Sequence, residues 1–185
     1  MEKDIKQAII DHQLIQMIRK RLADGEEVVM TVNGRSMLPF LKPNDTILLE
    51  PVQPDHLQRG DIITIAYADT LLTHRFWGSP DNAAKLLTRG DRQTTFDAPH
   101  TCNQLIGRVS QRHRGNLFLK HGVGRLLNDY LKWVLTISYK LENFVIKDSD
   151  QTKTTTIRRI LFRLLRYCTK GATTSVIRVV DLLLT

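Results

Sequence analysis

The sequence predicts an α+β protein: a mainly β core, built as a small barrel or folded sheet, with an amphipathic helix before it and a helical appendage after it. Three observations carry this. Short runs rich in β-branched and apolar residues, each bounded by Gly, Pro, Asn or Asp, recur between residues 28 and 111. Apolar residues fall at helical spacing on either side of that region. Charge divides the chain in the same place: residues 1–111 hold 13 Lys and Arg against 14 Asp and Glu, whereas residues 112–185 hold 14 against 5, so the net +8 comes from the C-terminal part. With 185 residues the chain has room for one domain with a substantial core and an appendage.

Residues 1–27 form the first element. Ile5, Ala8, Ile9, His12, Ile15 and Ile18 lie near helical spacing and predict an amphipathic helix. A membrane span needs about twenty predominantly apolar residues. This segment is broken by Lys3, Asp4, Lys6, Asp11, Arg19, Lys20, Arg21 and Asp24, and it lacks the charge order and cleavage site of a secretory leader. No transmembrane helix or signal peptide is therefore expected. Six strands follow within residues 28–111: Val28–Val32, Thr46–Glu50, Ile62–Ala66, Leu71–Phe76, Ala84–Thr88 and Leu105–Ser110.

Residues 112–185 read as basic helices. Val123, Leu126, Leu127, Tyr130, Leu131, Val134, Leu135, Ser138 and Leu141 mark one apolar face; Ile157, Ile160, Leu161, Leu164, Leu165 and Cys168 mark another, across a polar linker at 148–156. Arg158, Arg159, Arg163 and Arg166 lie off the second face, with Phe162 and Tyr167 suited to an interface. Such a helix suits an anionic membrane surface, or packing on the core or a partner with its arginines solvated. Nucleic acid is disfavoured, because neither a helix-turn-helix nor an aromatic RNA-binding box accompanies the charge.

Within the core, a serine, a histidine and two aspartates stand in order, each beside a turn or strand signal: Gly34-Arg35-Ser36-Met37-Leu38-Pro39, then His74-Arg75, then Leu87-Thr88-Arg89-Gly90-Asp91, with Asp97 six residues on. A serine hydroxyl becomes a good nucleophile when a base takes its proton, and a neutral imidazole suits that task. His74 is the candidate base. A carboxylate on the far ring nitrogen fixes the tautomer and stabilises the imidazolium; Asp97 and Asp91 are both candidates. Oxyanion stabilisation needs N–H donors, which a tight turn supplies. Gly34 would permit that turn through positive φ, and Pro39 would send the chain out of it extended.

These boxes resemble the signal peptidase I superfamily over residues 31–109. Ser36-Met37 with Pro39 looks like the family's serine box, and Lys42-Pro43-Asn44-Asp45 like the polar turn after it. Arg59-Gly60-Asp61-Ile62-Ile63 is similar to its Gly-Asp strand, and Leu72-Thr73-His74-Arg75 to the box of the general base. That base is lysine in most bacterial members and histidine in the branch typical of archaea and the endoplasmic reticulum. Leu87-Thr88-Arg89-Gly90-Asp91 with Asp97 resembles that branch's acidic box, and Ile106-Gly107-Arg108-Val109 its last core strand. The resemblance implies a β-rich catalytic core, Ser36 as nucleophile, His74 as base, Asp97 as orienting acid and Asp91 as a supporting carboxylate. Gly34, Arg35 and Met37 are the implied oxyanion and substrate-binding positions. Two departures stand out. Many members carry a serine where this chain has Gly34, and members usually carry a membrane anchor beside the serine box.

The function expected from this is a serine endopeptidase that removes a leader from a peptide or protein, without a cofactor. Two alternatives are an inactive peptide-binding module of the same fold and a self-cleaving regulator, which in the related repressors uses a lysine base. Cys102 and Cys168 give neither a disulfide framework nor a metal cluster, so reduced cytoplasmic thiols are the expectation, with the protein peripheral at a membrane if its basic helices dock there. His12, His56, His100, His113 and His121 lack ligand spacing and read as solvated or incidental.

Overall fold

The computed structural model describes residues 2–67, 70–79, 85–147, 171 and 173–182, with backbone alone over 2–11 and 141–147. The order is α1 (Glu2–Ala23), β1 (Val28–Thr31), β2 (Thr46–Glu50), β3 (Ile62–Tyr67), β4 (Thr70–Gly78), β5 (Lys85–Arg89), β6 (His100–Thr101), β7 (Leu105–Arg112), β8 (Leu117–Phe118) and α2 (Gly122–Lys147). A third helix, α3, occupies 173–182. The protein is therefore α+β, with eight antiparallel strands among the described residues and helices before and after them.

The sheet runs β1-β2-β7-β3-β4-β5-β6, with β8 on β7. Among the described residues its end strands β1 and β6 do not pair with each other, so the sheet described is open rather than a closed barrel. The sequence placed β2 at its observed bounds; β3, β4 and β7 extend slightly beyond their predicted ends. Two-residue strands β6 and β8 are too short to show an alternating pattern, and the sequence did not reveal them.

Period-two alternation places the core on both sides of β3. Ile62 joins α1, the Ser36 turn and α2 in one apolar cluster, while Ile63 and Ile65 join Phe76, Leu86 and Leu105 in a second. Ile15, Ile18 and Leu22 lay α1 against the sheet, and Arg19 donates to the carbonyls of Asn103 and Leu105 at 2.7 and 3.2 Å. His12 falls at the helical spacing of the apolar residues but reads as solvated or incidental, and it is exposed.

On α2 the predicted stripe is too wide. Leu127, Leu131 and Val134 are buried, but Val123 and Leu126 face outward, Leu126 at 71% exposure. Hydrophobic periodicity finds a helix face but not the width its neighbours can cover. The sequence did not single out α3, which buries Thr173 and Ile177 and contributes Ile177 to the first cluster. The predicted linker at 148–156 and the helix carrying Arg158, Arg159, Arg163 and Arg166 lie outside the described residues. Among the described residues no helix is long and apolar enough to cross a membrane.

Candidate active site

Ser36 sits in the turns after β1, and its neighbours hold it there. Met37, Phe40 and Leu41 are buried in the first cluster, so burial of the turn's apolar side chains leaves Ser36 at the edge, half-buried. The Leu41 N–H donates to the Met37 carbonyl at 3.0 Å, and the Arg92 N–H to the Ser36 carbonyl at 2.8 Å. Pro39 does not lead the chain out extended as expected; it lies inside consecutive turns, after a cis Leu38–Pro39 peptide bond. Gly34 is not in the positive-φ region either, so the turn does not depend on its conformational freedom. Gly90 is the glycine the site needs. A Cβ there would lie 2.8 Å from the Ser36 carbonyl oxygen, closer than real Cβ contacts allow, and a tight 3.0 Å from the Ser36 Cβ.

His74 lies in β4 opposite Ile63 and is buried. Its Nε2 is 2.8 Å from the Ser36 Oγ, and its Nδ1 is 2.7 Å from the Asp97 Oδ2. Thr88 Oγ1 donates to the same Asp97 oxygen at 2.6 Å, while the Asp97 N–H donates back to the Thr88 carbonyl at 3.0 Å. Burial works to raise the Asp97 pKa. The hydrogen bonds from His74 and Thr88, with the charges of His74 and His100, outweigh it and hold the carboxyl below its ordinary value. An ionised Asp97 accepts from Nδ1–H, and that tautomer leaves Nε2 free to accept the serine proton.

Asp91 has a different partner. Adjacent residues of a strand point to opposite faces, so Arg75 points away from the side that His74 occupies. Arg75 Nε and Nη2 reach the two Asp91 oxygens at 2.8 Å each, a bidentate pair with Arg75 wholly buried. Arg75 Nη1 also donates to the Gly60 carbonyl at 2.7 Å and to Asn128 Oδ1 on α2. Asp97 thus orients the imidazole, and Asp91 anchors the acidic loop through the residue beside it. Spacing alone left both aspartates as candidates; strand alternation separates them.

The implied oxyanion and substrate positions also divide. Gly34 and Arg35 are exposed, whereas the Met37 side chain lies in the core and offers a ligand only its backbone. Thr88, Arg75, Gly90 and Asn128 support the site without having been assigned roles from sequence. Arg75 left one readable signal, a charged residue inside an apolar strand, which is seldom buried without a partner. Asn128 left none, because its contact spans 53 positions.

His100 is buried rather than solvated, with its ring edge-on to Tyr67. Burial lowers its pKa; nearby Asp97 raises it and His74 lowers it, with a net downward shift. Its Nε2 finds no hydrogen-bond partner among the described residues. Among those residues no group of three His, Cys, Asp or Glu side chains is arranged to hold a metal ion. In comparisons with known proteins, no protein-family model and no curated protein matches the chain.

Proposed function

We propose that this protein is a serine endopeptidase of signal-peptidase-like type, cleaving a leader or signal segment from a peptide or protein. One observation carries the reading: an uninterrupted hydrogen-bonded series from Ser36 Oγ through His74 to Asp97, at 2.8 and 2.7 Å. In this reaction His74 Nε2 takes the serine proton as Oγ bonds to the scissile carbonyl carbon. Asp97 stabilises the resulting imidazolium, and backbone N–H groups around Ser36 receive the oxyanion. His74 then protonates the amine as the C–N bond breaks. In the second half the same imidazole takes a proton from water as its oxygen bonds to the acyl carbon, and returns that proton to Ser36 Oγ as the ester C–O bond breaks. The open antiparallel sheet suits a substrate bound as an extended strand. The basic segment containing Arg158, Arg159, Arg163 and Arg166 would hold the enzyme peripherally at an anionic membrane.

The test is cleavage of leader-bearing peptides by purified protein. Wild type is expected to cleave; Ser36→Ala and His74→Ala are expected to lose kcat by about 10⁴ to 10⁶ while keeping the wild-type circular dichroism. Unchanged turnover by Ser36→Ala would end this reading.

A further inference from the structure

A cavity of about 440 Å³ lies beside the serine turn, walled by that turn, the acidic loop, α2 and α3. Its volume falls within the roughly 300–1,000 Å³ typical of ligand sites. Leu38 and Pro39 form its wall next to Ser36, and Val134 and Ile177 bring in the two C-terminal helices. The charge around it is one-sided. Asp91, its carboxylate, is already held by Arg75, and Lys42 is paired with Asp181 at 3.4 Å. Arg92 and Arg178 are exposed and have no ion-pair partner among the described residues.

We propose that this cavity is a recognition subsite for a substrate segment that combines aliphatic side chains with neighbouring carboxylates. The inference rests on the peptidase reading. Aliphatic groups would fill the apolar interior, and Asp or Glu beside them would meet Arg92 and Arg178, whose guanidinium groups suit bidentate carboxylate binding. The subsite adjoins the serine turn: its lining residues Leu38 and Pro39 follow Ser36 closely in sequence, and the N–H of its lining residue Arg92 is bonded to the Ser36 carbonyl. The helices after the sheet thereby select substrate as well as packing on the core.

The experiment measures fluorescence anisotropy of a labelled short peptide alternating Leu and Glu, and of its Leu-Lys twin, with full-length Ser36→Ala. The Leu-Glu peptide should bind at least about tenfold more tightly than the twin, equivalent to about 1.4 kcal/mol. Arg92→Glu and Arg178→Glu in that background should abolish the preference, and Val134→Trp should weaken binding of the Leu-Glu peptide by filling the cavity. Both arginines are exposed, so their variants remain informative if Val134→Trp fails to fold. Equal binding of the two peptides, or indifference to both charge reversals, would overturn the proposal. Because Ser36→Ala needs no turnover, selective binding without wild-type cleavage would sink the peptidase reading and uphold the subsite. Cleavage of Leu-Glu substrates with KM unchanged in Arg92→Glu and Arg178→Glu would sink the subsite alone.

Discussion

Asp97 is where burial and bonding compete most directly, and bonding wins. Its folded pKa is depressed, so the carboxylate's contribution to stability is fully present above its unfolded pKa of about 3.9 and is lost as pH falls through the lower folded value. The stability difference between wild type and Asp97→Asn should therefore be constant above about pH 5 and shrink in more acidic solution, as chemical denaturation across a pH series would record. The same substitution should lower kcat by about 10⁴, because the amide does not enforce the productive tautomer. His100 should respond over a different range. Its folded pKa lies below about 6.5, so the folded state binds fewer protons than the unfolded state as pH falls below that value. Wild type should lose stability there, and His100→Phe should flatten that part of the profile. Arg75 is wholly buried and bonded to Asp91, the Gly60 carbonyl and Asn128. Arg75→Met would leave the buried Asp91 carboxylate without its bidentate partner and the Gly60 carbonyl with, among the described residues, only the Asn128 amide at 3.4 Å, with an expected loss of about 3–5 kcal/mol in urea denaturation.

Among the elements, α2 and α3 are joined to the serine turn and the acidic loop by polar contacts as well as by the core. Asn128 on α2 meets Arg75, and the Arg89 guanidinium lies within 4.5–5.4 Å of the Trp77, Phe96 and Tyr139 rings, joining α2 to the segment between Asp91 and Asp97. On α3, Asp181 accepts from Arg112 at 2.6 Å and also from Arg114, while both arginines donate to the Phe40 carbonyl in the serine turn. Asp181→Ala removes a carboxylate shared by two partly or wholly buried arginines. It should cost about 3 kcal/mol, near the lower end for a broken buried pair because Arg112 keeps its carbonyl partners. Since the lost contacts lead to Phe40, the variant should also lower the proposed peptidase activity at temperatures where the fold remains intact. Normal activity in a destabilised Asp181→Ala protein would separate α3 from the positioning of Ser36.

At the scale of the whole molecule, the +9 excess of residues 112–185 should make association with anionic vesicles salt-dependent. Co-sedimentation is expected at low ionic strength and should diminish as salt is added; absence of binding at low salt would remove the membrane-surface proposal. Much of the architecture was legible because it follows local rules. β-branched runs between turn formers located six principal strands, and apolar spacing located α1 and α2. The serine, histidine and aspartates were legible because their chemistry depends on residue type and order. By itself the sequence determined the α+β class, the division of charge and the small set of candidate site residues. Only the tertiary structure decided that Asp97 faces His74 while Asp91 faces Arg75, that Gly90 rather than Gly34 makes room for the serine turn, and that α3 helps wall a cavity beside Ser36. Those outcomes depend on which faces of distant strands and helices meet, and local periodicity carries no information about contacts separated by tens to more than a hundred residues.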